Sequence, residues 1–545
     1  MRKMKLIVGL LVILSMALAP TAFAAKREKF GADKRHEEVK KELRTIKPSD
    51  AEFKWKMVMP WSKGLLFYDV AQHFADSVKL ASGGRLDIKL FSAGELVGAM
   101  ESFDAVSKGQ ADIGHDWPGY WKGKNEAFVA FASVPFGLDA EGYNIWLYER
   151  GGLEMMQELY GRYNLFALPG GNVGQELGLF SNKKASKMSD FKGMRVRTPG
   201  WYMDIMTQLG ASVSPLPGGE VYLALERGVI DAAEFSTPAI NYPMGFDDIT
   251  KYVIQPGVHQ PSCQCAFFIN QDSYNKLPAD LKWIVDIAAK ETQLWANTWQ
   301  ENLNAEAVKL FKEKVEFVRM DEETINSFAK ASHEYIEGLK AKYPDVKKVM
   351  DSQELGLFSN KKASKMSDFK GMRVRTPGWY MDIMTQLGAS VSPLPGGEVY
   401  LALERGVIDA AEFSTPAINY PMGFDDITKY VIQPGVHQPS CQCAFFINQD
   451  SYNKLPADLK WIVDIAAKET QLWANTWQEN LNAQAVKLFK EKVEFVRMDE
   501  DTINQFAKAS HEYIESLKAK HPDVKKVMDS QDEFKSDFAD WREER

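Results

Sequence analysis

Hydrophobic and polar positions set the first outline. Phe53–Met59 (FKWKMVM) alternates, the period of a half-buried strand. Phe67–Leu80 places its apolar residues on one helical face, and after Gly83-Gly84 the run Leu86–Phe91 (LDIKLF) alternates again. Ala93–Leu96 is expected to open a helix through Val106, and Ala111–Gly114 a third strand. Strand–helix–strand–helix–strand is the rhythm of an α/β lobe with a largely parallel sheet. Leu165–Leu168 reads as a strand and Gly170–Gly174 as a glycine-rich turn. Within Lys192–Glu234 the pattern gives a strand at Met194–Val196, a turn at Thr198–Gly200, a helix ending at Gly210, a Pro/Gly loop, a second helix and a strand near Val229–Ala233. Arg197 and Glu234 then stand at strand ends, where open α/β sheets hold ligands. Beyond them come a hinge-like segment Phe235–Asp248, a strand Ser262–Asn270, a long helix near Asp280–Lys314 and further helices over Met320–Tyr343.

The same stretch occurs twice. Residues 175–352 recur as 353–530 at an offset of 178, with five differences (Glu306/Gln484, Glu323/Asp501, Ser327/Gln505, Gly338/Ser516, Tyr343/His521), all in the helical tail. That period is far longer than the repeat of a solenoid. The organisation read from it is 1–24 a signal peptide, 25–50 a charged leader, 51–353 a complete two-lobed unit, 354–531 a near-identical duplicate of 176–353, and 532–545 a tail.

Composition changes the picture at the N-terminus. Arg2, Lys3 and Lys5 precede the short apolar run Leu6–Leu18, and Ala22-Phe23-Ala24 is a small-x-small cleavage site. An exported, periplasmic product follows. The formal net charge of -8 argues against a nucleic-acid partner. The four cysteines are one Cys-Gln-Cys pair repeated (Cys263, Cys265, Cys441, Cys443), expected as buried strand residues rather than a disulfide framework. His115–Trp121 (HDWPGYW) follows a strand, so Tyr120 and Trp121 are candidate cleft residues, with His115 structural. Gly170–Gly174 lacks the pattern of a nucleotide loop, and the chain has neither a Gly-x-Ser-x-Gly elbow nor a His-Glu-x-x-His zinc motif, which argues against an enzyme.

Taken together, GELVGAMESFDAVSKGQADIGH, YWKGKNEAF, VPFGL, GGNVGQELG, FKGMRVRTPG and PGGEVYLALERGVIDAAE resemble the solute-binding proteins of TRAP transporters (DctP type), most of all the branch that takes 2-oxo and 2-hydroxy acids. The resemblance implies a two-lobed periplasmic binding protein clamshell of α/β class with a long connecting helix, here with a duplicated C-terminal half. It implies capture of a small organic carboxylate for membrane subunits of the transporter. Arg197 aligns with the family's carboxylate-binding arginine, a planar charged group suited to paired bonds. Glu176, Tyr120, Trp121 and Phe235 complete the expected substrate contacts.

In that branch a metal ion bridges substrate and protein, and the aligned positions are Glu176, Glu234-Phe235 and Gln260. Glutamate stands where the branch has glutamine, glutamine where it has glutamate, and phenylalanine where it has tryptophan. Glu176, Glu234 and an anionic substrate against one Arg197 leave an excess of negative charge, so a hard cation, Na⁺ or Ca²⁺, is expected, and no organic cofactor. The alternatives are an exported sensor for the same acids and an exported enzyme.

The duplicate has no N-terminal half of its own. Docking it in place of the first copy means looping out 178 residues, at a cost of about 4–5 kcal/mol. Arg197 is therefore expected in the working site. Glu354, Arg375, Glu412, Phe413 and Gln438 are expected in an incomplete half, prone to aggregation or to a domain-swapped homo-oligomer.

Overall fold

The computed structural model describes residues 51–342 and, with gaps at 377–378, 393, 395–397, 413–414 and 434–444, residues 357–520, plus a few positions up to Asp532. The expected signal peptide, the expected leader and nearly all of the expected tail lie outside the described residues. Among the described residues no helix is long and apolar enough to cross a membrane. The chain forms two compact units, one of residues 1–350, 447–473 and 536–545, the other of 351–446 and 474–535.

The first unit holds two sheets. In lobe one, β1 (Phe53–Val58), β2 (Leu86–Phe91) and β3 (Ile113–Asp116) run parallel. β4 (Leu165–Asn172) and β10 (Gln264–Asn270) complete the order β2-β1-β3-β10-β4, with β10 antiparallel to both neighbours. Lobe two has the order β11-β9-β5-β8-β6-β7. Its strands are β5 (Leu179–Ser181), β6 (Arg195–Arg197), β7 (Ser212–Ser214), β8 (Ala232–Ala233), β9 (Tyr252–Gln255) and β11 (Glu316–Arg319). The chain passes between lobes after β4 and returns after β9. These two crossings pair with each other through Val173 N–H to Cys263 O (3.0 Å), Cys263 N–H to Gly174 O (2.9 Å) and Glu176 N–H to Gln260 O (3.1 Å).

The helices follow the amphipathic pattern. α1 (Leu66–Ala81) buries Phe67, Val70, Phe74 and Val78 at i, i+3, i+4 spacing. α2 is Ser102–Ser107, α3 is Ala140–Glu149 and α4 is Gly152–Gly161. α5 (Gly200–Gln208) and α6 (Gly218–Glu226) follow β6 and β7 in lobe two. α7 (Ala279–Lys312) is the long helix, and α8 (Glu322–Lys342) closes the copy.

Three expectations need correction. The helix from Ala93 is a loop until a 3-10 turn at Ala99–Glu101, because the Glu95 carboxylate is used to accept the Ser92 N–H (2.7 Å) and Gly94 takes a left-handed φ of +82°. Gly170–Gly174 is no turn at its start: β4 continues through Asn172. A Cβ on Gly170 would lie 2.6 Å from the Ala266 carbonyl carbon, so glycine here permits close strand approach. β5, β7, β9 and β11 were not foreseen, since strands of three or four residues carry too little alternation to register. Cys263 and Cys265 are buried and unbridged.

The second unit repeats lobe two alone. β12 (Leu357–Ser359), β13 (Arg373–Arg375), β14 (Ser390–Ser392), β15 (Ala410–Ala411), β16 (Tyr430–Gln433) and β17 (Glu494–Arg497) take the order β14-β13-β15-β12-β16-β17, the same arrangement strand for strand. The Arg195–Asp231–Lys183 cluster, two exposed cations on a buried carboxylate, recurs as Arg373–Asp409–Lys361. Among the described residues of the counterpart of β10, 445–448, no strand forms. Phe267 and Phe268 are 0% exposed in β10, whereas Phe445 and Phe446 are 71% and 96% exposed. Phe446→Ala is therefore expected to leave unfolding within about 0.5 kcal/mol of the parent in a denaturant titration.

Candidate functional site

β6 runs parallel to β7 and β8, so its C-terminal end carries Arg197 to the rim of lobe two. Val196 fills the core beneath it, and Arg195 clamps Asp231 on the neighbouring strand at 2.5 Å, fixing register. Arg197 is 2% exposed. Its Nε donates to Leu216 O (2.9 Å) and its Nη1 to Glu234 O (2.7 Å), while the Glu234 carboxylate lies 3.4 Å from Nη1. Nη2 takes part in none of these bonds. The guanidinium carbon sits 5.6 Å from the centre of the Phe235 ring.

A cavity of about 1000 Å³ opens in front of this group. Lobe one contributes Trp61 and Tyr120 to its wall, and lobe two Arg197, Met203, Leu216 and Phe235. A single buried cation in a mostly apolar wall is an anion site of high contrast, since guanidinium is the group that stays charged when desolvated.

Behind Arg197 lies a second layer. Glu176, Glu234 and His259 bring ligand atoms within 4.8 Å of one another, all buried. The Glu176 carboxylate pairs with His259 Nε2 (3.0 Å) and accepts from Gln260 Nε2 (2.6 Å). Burial pushes the Glu176 carboxyl up to about 8, against the pull of Arg197. Burial and then the neighbouring Glu176 push Glu234 up to about 7, and burial pushes His259 down to about 4. Two carboxyls this close and this dry are poorly satisfied by one arginine. Either protons or a cation must join them. Their oxygens, with the Gln260 amide oxygen after a turn of its end group, suit a hard cation.

The crossings hold this layer in place. Glu176 lies on the outward crossing, His259 and Gln260 on the return. A Cβ on Gly257 would lie 1.9 Å from Glu176 O. Gly257→Ala is expected to push the crossings apart, lowering the melting temperature by several degrees and weakening ligand binding, both measurable in one thermal-shift titration.

Of the sequence candidates, Arg197, Tyr120 and Phe235 reach the cavity wall, and Glu176, Glu234 and Gln260 gather behind it. Trp121 does not belong to the wall. It is 5% exposed, packs against Phe103 and donates Nε1–H to Asp116 at 2.8 Å, because the 3-10 turn Pro118–Trp121 points successive aromatics to opposite sides. His115 is a core residue, its Nε2 2.8 Å from Gly170 O. His259 was missed. Its only signal was its place beside Gln260. In the second copy Arg375 keeps the same bonds, Nε–H to Leu394 O (3.0 Å) and Nη1–H to Glu412 O (2.7 Å). Glu354, Phe413 and Gln438 lie outside the described residues.

A sequence model for bacterial extracellular solute-binding proteins of family 7, DctP, matches residues 57–342 and again 350–521. The chain belongs to the DctP family. A monocarboxylate 2-oxoacid-binding periplasmic protein of Nostoc sp. is 34% identical to this DctP protein over 299 residues, which is 55% of this chain and 82% of the relative. A TRAP periplasmic solute-binding protein of Pseudoalteromonas atlantica, solved with sodium and pyruvate, is 33% identical with a TM-score of 0.53, covering 55% of this chain and 91% of that one. One from Colwellia psychrerythraea, with calcium and pyruvate, is 33% identical with a TM-score of 0.52, over 55% and 92%. Little more than half of this DctP chain thus accounts for nearly a whole relative, leaving about one copy of the repeat over. The family and these relatives are solute-binding receptors rather than enzymes.

Proposed function

We propose that this DctP protein is the periplasmic solute-binding component of a TRAP-type transporter and that it captures a small 2-oxo or 2-hydroxy carboxylate for import. The observation that carries the reading is Arg197, a buried guanidinium held by two backbone carbonyls at the wall of a mostly apolar cavity. The substrate carboxylate pairs with the guanidinium edge, and Phe235 and Tyr120 pack on its short carbon chain. The first copy supplies the working site, since its crossings are continuous with lobe one.

Glu176, Glu234 and Gln260 would hold a Na⁺ or Ca²⁺ ion that neutralises their charge and offers the substrate's second oxygen a ligand position. His259 holds Glu176 in place by its ring N–H and keeps that carboxylate turned toward Glu234. Two relatives at 33% identity carry such an ion beside pyruvate, which supports the assignment. The family match supports a transport partner over a sensory receptor.

Isothermal titration of the full chain against pyruvate, longer 2-oxo acids and the matching amides tests the reading. Micromolar binding of the acids without binding of the amides is expected. Equal affinity for acid and amide would remove the carboxylate from the account.

A further inference from the structure

The cavity in front of Arg197 is far larger than the acid group that Arg197 can anchor. At about 1000 Å³ it has the size of a site for a drug-sized ligand. A three-carbon acid on Arg197 would leave most of it to water. The wall decides what else fills it.

Two rings, one from each lobe, are fixed in that wall. Trp61 of lobe one is 3% exposed and stacks on Phe67, with ring centres 4.1 Å apart and planes 14° from parallel. His115 meets the same indole edge-on, with centres 5.2 Å apart. Phe235 of lobe two is 8% exposed, and its ring lies so close to the start of α6 that a Cβ on Gly218 would sit 2.3 Å from it. Rings held this way have little freedom left to lose when a ligand packs on them. The rest of the wall includes Leu65, Met100, Met203, Leu223 and Met244. Thioethers adapt to the outline of a flat ring and gain from contact with its edge.

The charges of the wall are already matched. Lys63 pairs with Glu95 at 2.8 Å, Lys122 with Asp204, and Asp248 with Lys314 at 2.6 Å. Glu126 accepts from Trp201 Nε1 at 2.9 Å. Glu220, exposed on the first turn of α6, adds a negative charge. Apart from Arg197, each cation of the described wall therefore has an acid of its own. A second carboxylate on the ligand would lose hydration without gaining a partner, on a wall that also carries Glu126 and Glu220.

We propose that the ligand is a monocarboxylic 2-oxo or 2-hydroxy acid with an aromatic tail, its acid group on Arg197 and its ring packed against Trp61 and Phe235 with the methionines around it. The inference rests on the carboxylate reading and names the tail that reading left open.

Isothermal titration of the full chain with phenylpyruvate, 4-methyl-2-oxopentanoate, pyruvate and 2-oxoglutarate, in buffer containing Ca²⁺, tests it. Burial of the benzyl group is expected to make phenylpyruvate bind at least about 10-fold tighter than pyruvate. The isobutyl acid should fall between the two, and 2-oxoglutarate below pyruvate. Pyruvate or the isobutyl acid binding as tightly as phenylpyruvate would overturn the aromatic tail and leave the carboxylate reading intact. 2-Oxoglutarate binding as tightly as phenylpyruvate would overturn the restriction to one acid group. Failure of every acid would remove the carboxylate reading, and the tail with it. Met244→Gln, a polar residue of similar size, is expected to lower the ratio of phenylpyruvate to pyruvate affinity by at least about 3-fold. An unchanged ratio would overturn the tail's place on that wall.

Discussion

Arg197→Ala is expected to weaken carboxylate binding by at least about 100-fold, while Arg375→Ala leaves it unchanged. Truncating one partner of a buried charge pair typically costs 2–5 kcal/mol, and about 2.7 kcal/mol is 100-fold. Here the loss is compounded, because Glu234 and Glu176 would remain buried with no fixed cation before them. Arg197→Lys should rescue little: an ammonium on a flexible stem cannot reach both Leu216 O and Glu234 O while offering a flat edge to the ligand. Arg375 has the same backbone bonds, so the contrast between the two variants isolates what lobe one adds. Titration calorimetry on both variants decides it. Loss of binding in Arg375→Ala with retention in Arg197→Ala would place the site in the second copy.

Removal of divalent and sodium ions is expected to lower affinity for the acid by about two orders of magnitude, with Ca²⁺ restoring it; unchanged affinity after chelation and dialysis into a sodium-free buffer would remove the ion from the site. The expectation follows from charge. Glu176 and Glu234 face one another behind Arg197, and an arriving carboxylate adds a third negative group. The ion-free protein should also show a pH signature. Both carboxyls sit above the ordinary value of 4.5 in the fold, at about 8 and about 7. An acid raised on folding contributes its stability fully below the unfolded value and loses it as pH rises toward the folded one. The melting temperature of ion-free protein should therefore fall between about pH 5 and pH 8, and Ca²⁺ should flatten that fall. A profile equally steep with and without Ca²⁺ would detach the pair from any ion.

Much of this was legible in residues. Alternation in Phe53–Met59 and Leu86–Phe91 located the strands of lobe one, because those strands are long and half-buried. Arg197 and Glu234 were placed at strand ends by the pattern and given their roles by the family resemblance, and the fold brings the two side by side. In lobe two β6 and β8 were read as parts of a longer strand–helix–helix–strand unit, while β5, β7, β9 and β11, three or four residues each, stood alone and left no pattern. Trp121 and Tyr120 are adjacent and alike, and only the geometry of one 3-10 turn sends the tyrosine to the cavity and the tryptophan to the core. His259 was invisible for a different reason. Its partner Glu176 is 83 positions away along the chain, and the pairing of the two crossings that joins them is a tertiary fact.

β10 is translated as part of lobe two and used by lobe one. Lobe one is therefore a structure that waits: β1 to β4 have their helices but no central neighbour between β3 and β4 until residue 270 is available. Two segments of this chain can fill that slot, and during synthesis the nearer one emerges first and is captured first, since domains generally assemble from the N-terminus. Order of arrival thus selects the register. Protein diluted from denaturant has no such order. Both segments are present at once, distinguished only by the length of loop each must close, and refolding should yield a minor population in which the later strand holds the slot and the earlier copy of lobe two is the one left over.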